Sequence, residues 1–200
     1  MYYKNLNNFI IDNVLTNIEK EYIYSKIKES SDLNNTKVVS PLGHITYFFH
    51  VSDDFKNSLL NKIQQYFEDE LIITELSAAI YSNKSGYVPK LPPHYDVFLE
   101  SRVTFDIQLN STIKWPIVIE NNEFLLKDNQ GLIFSGTDQI HWRTQKTFSD
   151  DDHITMLFVH LSKKNNNIKI SKNENDEREK RYNYYYDLCK IDKNAIEIGK

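Results

Sequence analysis

The stretch Arg102 to Asn110 constrains this chain most. Val103, Phe105, Ile107 and Leu109 alternate with Arg102, Thr104, Asp106 and Gln108, and a period of two is the signature of an extended strand with two unlike faces. It does not stand alone. Ile72 to Tyr81, Trp115 to Glu120, Glu123 to Leu126, Leu132 to Phe134 and Ile154 to Leu161 read as further strands. Asn121-Asn122 and Asp128 to Gly131 read as the turns between them.

Two helices precede this run. Thr16 and Glu19 are spaced as a capping box, opening a helix from about Asn17 to Glu29 with Ile18, Tyr22, Ile23 and Ile27 on one face. Asp53 to Glu70 carries Phe55, Leu59, Leu60, Ile63, Tyr66 and Phe67 at helical spacing, with Ser52 or Asp53 as its cap. His44 to His50 reads as an early strand. Ser30 to Thr36 reads as a polar loop, and Ser82 to Pro93, with Gly86 and three prolines, as another. Two helices followed by seven or eight short strands imply an α+β chain whose main part is a β-sandwich or jelly roll.

The sequence divides at about residue 162. Residues 1–162 carry the periodic segments, with the strand-rich core over about 72–161; 163–200 is an extension. Lys163 to Lys180 is almost wholly polar and is expected to be exposed. Arg181 to Leu188, with four tyrosines, is expected to dock as a helix on its own domain.

Composition removes several classes. In 200 residues, 24 basic against 28 acidic side chains leave a formal charge of −4, which disfavours a nucleic-acid or anionic-membrane partner. One cysteine, Cys189, excludes an internal disulfide framework and a thiolate zinc site; it reads as an incidental thiol. Nothing resembles a signal peptide, and no apolar run reaches the roughly 18 residues of a membrane span. The expected location is the cytoplasm.

The chemistry rests on His94-Tyr95-Asp96 and His141. On an extended segment, residues two apart point the same way, so His94 and Asp96 can share one metal. His141 follows 47 residues later, a separation that a folded run of strands can close. Two histidines and one carboxylate on one face of an octahedron leave three positions open, the arrangement of non-haem Fe(II) oxygenases. His-x-Asp alone is a common triplet, and a surface or core histidine beside an aspartate reads the same.

The wider pattern narrows the choice. Tyr81 to Gly86 through Pro93-His94-Tyr95-Asp96, then Arg102-Val103-Thr104-Phe105 through Leu109-Asn110, resembles the 2-oxoglutarate and Fe(II)-dependent dioxygenases, in particular the prolyl-hydroxylase-like branch. Asp128 to Phe134, His141-Trp142-Arg143 and His153 to His160 resemble the turn, strand, distal histidine and closing strand of that superfamily. The resemblance covers roughly residues 72 to 161. It implies a double-stranded β-helix holding Fe(II) through His94, Asp96 and His141. It also implies 2-oxoglutarate as co-substrate, with O2, giving succinate, CO2 and a hydroxylated C–H bond.

One position departs from the pattern. The basic residue usual on the closing strand, with Ser or Thr two residues later, is matched here by His153 and Thr155. A neutral imidazole pairs poorly with a carboxylate, whereas arginine pairs with it bidentately. Arg143, on the same strand face as His141, is therefore the favoured anchor for the co-substrate's far carboxylate. His153, helped by Asp151 or Asp152, is the alternative. Tyr81 reads equally as a hydroxyl donor to the co-substrate and as a buried aromatic. Arg102 is the other arginine that could compensate, but reads more strongly as a brace for the sheet, with an Asp106–Arg102 pair as one form of it. His44 and His50 are structural or substrate-side, and His160 is packed. Trp115 and Trp142 line a substrate mouth or the core.

The substrate is an amino acid, a peptidyl side chain or a small metabolite, with selectivity expected in the loops Leu33 to Leu42 and Ser82 to Pro93. Two other readings remain: a non-catalytic jelly-roll binding protein, and a cupin-like metal enzyme that does not use 2-oxoglutarate.

Overall fold

The computed structural model describes residues 6–33, 36–96, 102–164 and 172–191. Within them the chain runs β1 (Phe9–Ile11), α1 (Asn17–Asp32), β2 (Lys37–Ser40), β3 (His44–Phe48), α2 (Asp53–Gln64), β4 (Leu71–Ser82), β5 (Leu91–His94), β6 (Val103–Ser111), β7 (Ile117–Ile119), β8 (Asn122–Phe124), β9 (Gln130–Phe134), β10 (His141–Arg143), β11 (His153–Lys163) and α3 (Lys172–Ile191). Eight strands follow α2, as the sequence implies. With β1, β2 and β3 they form two mostly antiparallel sheets, ordered β1-β9-β6-β11-β4-β3-β2 and β5-β10-β7-β8.

Helix α1 begins at the capping box: Glu19 N–H donates to the Thr16 hydroxyl, and Thr16 N–H to the Glu19 carboxylate. Its inward stripe is Ile23, Ile27 and Ser30. Ile18 is 80 % exposed, contrary to its expected place on that stripe. At 100° per residue it stands five residues, or about 140°, away from Ile23. Ser30, assigned to a loop by composition, is buried in the last turn and donates to the carbonyls of Thr36 and Phe48. It ties the helix to the strands β2 and β3, the first of which the sequence reading missed.

Helix α2 is capped by Ser52 and stops at Gln64, short of the expected Glu70. The Gln64 side chain ends it. Its amide donates to the carbonyls of Phe67 and Asp69, and its oxygen accepts from Leu71 N–H, so the chain turns straight into β4. Tyr66 and Phe67, apolar residues at helical spacing, belong to that turn, where Tyr66 packs on Phe9 of β1.

Two apolar clusters hold the layers. Val103, Phe105, Ile107 and Leu109 of β6 join Leu157, Val159 and Leu161 of β11 in a core beneath α1 and α2, with Ile23, Leu59 and Ile63. The second cluster lies between the two sheets and includes Tyr81, Trp115, Ile117, Phe134, Ile154 and Met156. The polar face of β6 is therefore not a solvent face. Thr104, Asp106 and Gln108 are as buried as their apolar neighbours, which marks the space between the sheets as more than core.

The segment 82–93, expected to be a loop, contains a short 3-10 turn closed by Gly86 at φ 82° and then β5. Pro92 and Pro93 are tolerated there because β5 is an edge strand, paired among the described residues only with β10. Helix α3 starts earlier than expected and docks on its own chain. Tyr185 packs on Trp142, Arg178 lies 4.7 Å over the Tyr95 ring, and Arg181 pairs with Glu120. No helix among the described residues is long and apolar enough to cross a membrane. The expected exposed stretch at 165–171, the Cys189 side chain and two residues of the 33–42 loop lie outside the described residues.

Candidate metal centre

Sheet pairing brings the two histidines together. β10 runs antiparallel to β5 with His141 opposite His94, and their ring centroids are 4.1 Å apart. Asp96, two residues beyond His94, is drawn to the same point because its N–H donates to the Gly136 carbonyl at 2.9 Å. Ligand atoms of His94, Asp96 and His141 all lie within 4.8 Å of one another, with His141 Nε2 3.5 Å from Asp96 Oδ1. The 47 residues of separation are closed by one strand pair and one backbone hydrogen bond.

The surroundings prepare these side chains as ligands. His94 Nδ1 faces the Pro92 carbonyl at 2.9 Å and His141 Nδ1 the Gln139 carbonyl at 3.1 Å. A carbonyl can only accept, so Nδ1 carries the proton and a neutral ring offers Nε2 to a metal. The Thr104 hydroxyl donates to Asp96 Oδ2 at 2.7 Å, which leaves Oδ1 facing His141. Gly136 is required sterically: a Cβ there would fall 1.7 Å from Asp96 Oδ2 and 2.3 Å from Thr104 Oγ1.

The turn carrying Gly136 is itself anchored. Arg102 pairs with Asp138 at 2.8 Å, Ser135 donates to the Arg102 carbonyl and to Asp138, and Ser135 N–H donates to Gln139 Oε1. Arg102 is thus a buried brace, as expected, but its partner is Asp138 and not Asp106.

Charge is arranged to suit a cation. Burial alone would raise the Asp96 carboxyl, but His141, through charge and hydrogen bond, then His160 and His94, hold it well below the usual carboxylate range. Burial and the neighbouring His141 push His94 down to about 4, so it stands neutral with its lone pair available. Burial also opposes protonation of His141, but Asp96 outweighs it and raises that imidazole.

A cavity of about 220 Å3 opens beside the three residues and extends between the sheets to Tyr81, Asp106 and Arg143. Arg143 shares the His141 face of β10 and is buried. It donates to the Trp115 carbonyl, lies 5.1 Å over the Trp115 ring, and has Met156 Sδ 3.9 Å from Nη2. Tyr81 is buried against His44 and Trp115, and burial pushes its hydroxyl up to about 12, so it keeps its proton as a donor.

His153 and Thr155 are not brought to this cavity. Along β11, Met156, Phe158 and His160 face it, while Leu157, Val159 and Leu161 face the helices. Odd-numbered His153 and Thr155 share the second direction. A strand reverses its face at every residue, so a match made by spacing alone does not fix which way a side chain points.

Two residues of the site were not singled out from the sequence: Thr104 carried only the alternation of β6, and Gly136 was an unremarked glycine. Asp106 was read only as a partner for Arg102, and it lines the cavity instead. His160, expected to be packed, lines the cavity with Nδ1 3.9 Å from Asp96 Oδ2. His44 also lines it. Trp142 faces away, against α3, and Trp115 is core.

No protein-family model matches the chain, and no curated protein matches it by sequence. Solved structures do match. An oxidoreductase of the 2OG-Fe(II) oxygenase family from Burkholderia pseudomallei aligns with TM-score 0.58 and 12% identity over 82% of this chain and 89% of its own. HygX from Streptomyces hygroscopicus, solved with nickel, 2-oxoglutarate and hygromycin B bound, aligns at 0.57 and 10% over 79% and 83%. A prolyl hydroxylase from Trichoplax adhaerens, in complex with a hypoxia inducible factor degradation-domain peptide, aligns at 0.55 and 14% over 81% and 88%. With its His-Asp-His cluster between two antiparallel sheets, the chain has the fold of the 2-oxoglutarate–Fe(II) oxygenases.

Proposed function

We propose that this protein is a non-haem Fe(II), 2-oxoglutarate-dependent oxygenase built on a double-stranded β-helix. It hydroxylates a C–H bond of an amino acid, a peptidyl side chain or a small metabolite, with succinate and CO2 as co-products. The observation that carries this reading is the convergence of His94, Asp96 and His141 within 4.8 Å, with both Nδ1 atoms committed to carbonyls. That donor set fits Fe(II) with open positions left for co-substrate and dioxygen. Bound iron would couple decarboxylation of the 2-oxo acid to oxidation of the substrate.

The remaining roles belong to the cavity wall. Arg143 anchors the far carboxylate of 2-oxoglutarate. Among the described residues its buried guanidinium has no carboxylate in an ion pair, and a buried cation without one is a site for an anion. The Tyr81 hydroxyl donates to the co-substrate. His153 and Thr155, on the opposite face of β11, receive no part in this assignment. The B. pseudomallei and S. hygroscopicus structures support the chemistry. The hygromycin and peptide complexes support a substrate that is either a small molecule or a peptide.

The test is iron-dependent conversion of 2-oxoglutarate to succinate without added substrate, measured for wild type, Asp96→Ala and Arg143→Met. The proposal expects slow turnover in wild type, none in Asp96→Ala, and a KM for 2-oxoglutarate raised at least tenfold in Arg143→Met. Metal binding with no consumption of 2-oxoglutarate would replace it with a cupin-like metal enzyme. A wild type that binds no metal would leave a binding protein.

A further inference from the structure

Asp106 stands out among the buried groups that this reading leaves unused. It is 5 % exposed on the inward face of β6 and lines the cavity. Its Oδ1 has no hydrogen-bond partner among the described residues. Arg102, four residues earlier on the same face, is held by Asp138. A buried carboxyl left without a partner is costly unless a ligand completes it.

The charges around Asp106 decide which ligand. Asp96 and Asp106 repel, while His141 and Arg143 attract its charge; Tyr81, from β4, lies across the same cavity and keeps its proton. Burial first, then Asp96, pushes the Asp106 carboxyl up to about 7. An anion held at Arg143 would favour its neutral form further. A neutral carboxyl is a donor, and in the same cavity as a buried guanidinium it can complete a cradle for a carboxylate.

Resting on the reading of Arg143 given above, we propose that Asp106 is a specificity-determining contact for the 2-oxo acid. Its carboxyl O–H donates a hydrogen bond to the same far carboxylate that Arg143 binds. The cavity then selects a dicarboxylic 2-oxo acid over its monocarboxylic analogues through two donors from different strands, β6 and β10.

The test is calorimetric titration of 2-oxoglutarate, and of 2-oxopentanoate, which lacks the far carboxylate, into the full-length nickel-loaded protein. Wild type, Asp106→Asn and Asp106→Leu are compared. Asparagine keeps a donor and cannot ionise, so its Kd for 2-oxoglutarate stays within about threefold of wild type. Leucine removes the donor at similar volume and weakens binding roughly tenfold, the worth of one charge-assisted hydrogen bond. Binding of 2-oxopentanoate is the same in all three. Asp106→Ala replaces the leucine variant if nickel affinity or thermal melting shows that leucine does not fold.

Unchanged 2-oxoglutarate binding in the leucine or alanine variant refutes the role of Asp106 alone. So does tighter binding in both the asparagine and apolar variants, which would mark a repelling carboxylate. A nickel-loaded wild type that binds no 2-oxoglutarate refutes the co-substrate reading itself, and the role of Asp106 falls with it.

Discussion

Substitution of Gly136 by alanine should abolish tight metal binding without touching a ligand. The added Cβ would sit 1.7 Å from Asp96 Oδ2 and 2.7 Å from Asp96 Cγ. To recover even a close van der Waals contact of 3.4 Å, the Asp96 carboxylate must retreat by about 1.7 Å. Metal–oxygen bonds tolerate roughly 0.2 Å, so the carboxylate is lost as a ligand. Thr104 Oγ1, at 2.3 Å from the same Cβ, blocks a sideways escape. Losing an outer-shell partner alone typically weakens a metal site 10–100-fold, and displacing a ligand should exceed about 100-fold. The fold itself should lose only the roughly 1–3 kcal/mol of a local overpacking. The assay is calorimetric titration of Co(II) or Fe(II) under anaerobic conditions, with thermal melting in parallel. In an Asp96→Ala background the glycine substitution should weaken binding no further, because the group it displaces is already gone. A Gly136→Ala protein that keeps its metal affinity within threefold of wild type would refute this account of how Asp96 is placed.

Three further outcomes are expected. Metal affinity should fall with pH through the raised His141 value with a slope of one proton, since His94, at about 4, and Asp96, lower still, do not compete there; a two-proton slope between about pH 5 and 7, seen by titration in buffers of different pH, would contradict it. Glu19, drawn down to about 2 by Lys62, Ser58 and Thr16 against the opposing effect of burial, contributes stability that is present above its ordinary 4.5 and lost as pH falls through about 2. Glu19→Ala should therefore cost about 1–2 kcal/mol at pH 7, and urea melts should show the gap closing near pH 2. Removing residues 165–200 should uncover Trp142, packed on Tyr185, and Tyr95, beneath Arg178, lowering Tm by several degrees and shifting tryptophan emission to the red; unchanged emission would refute the docking of α3.

The metal residues were legible because their signal is local or chemical. Residues two apart on extended chain point the same way, which singled out His94 and Asp96 although β5 itself ends at His94, and a second histidine was the missing member of a known donor set. The capping box of α1 and the strand β6 were legible for the same reason. What failed depended on contacts distant in sequence. Tyr66 and Phe67 extend a helical pattern past Gln64, but the Gln64 side chain takes over the backbone groups of the turn. Strands β1 and β2 are too short to show a period, and exist because β9 and β3 pair with them. The distance from His141 to His153 and Thr155 spans a loop, and a loop one residue longer or shorter reverses the face a strand residue presents. Asp106 and Gly136 have no motif. Their importance appears only when a second sheet covers β6 and Asp96 comes to lie against the turn after β9.

The central claim, one iron and one 2-oxoglutarate held together by this site, is tested most directly by anaerobic titration of the apo-protein with Fe(II) and then 2-oxoglutarate. The readout is the weak visible metal-to-ligand charge-transfer band of the chelate, with His94→Ala as control. The account predicts a band that needs both additions and is absent from the variant. Iron binding with no band on adding 2-oxoglutarate, or an identical band in His94→Ala, would contradict it.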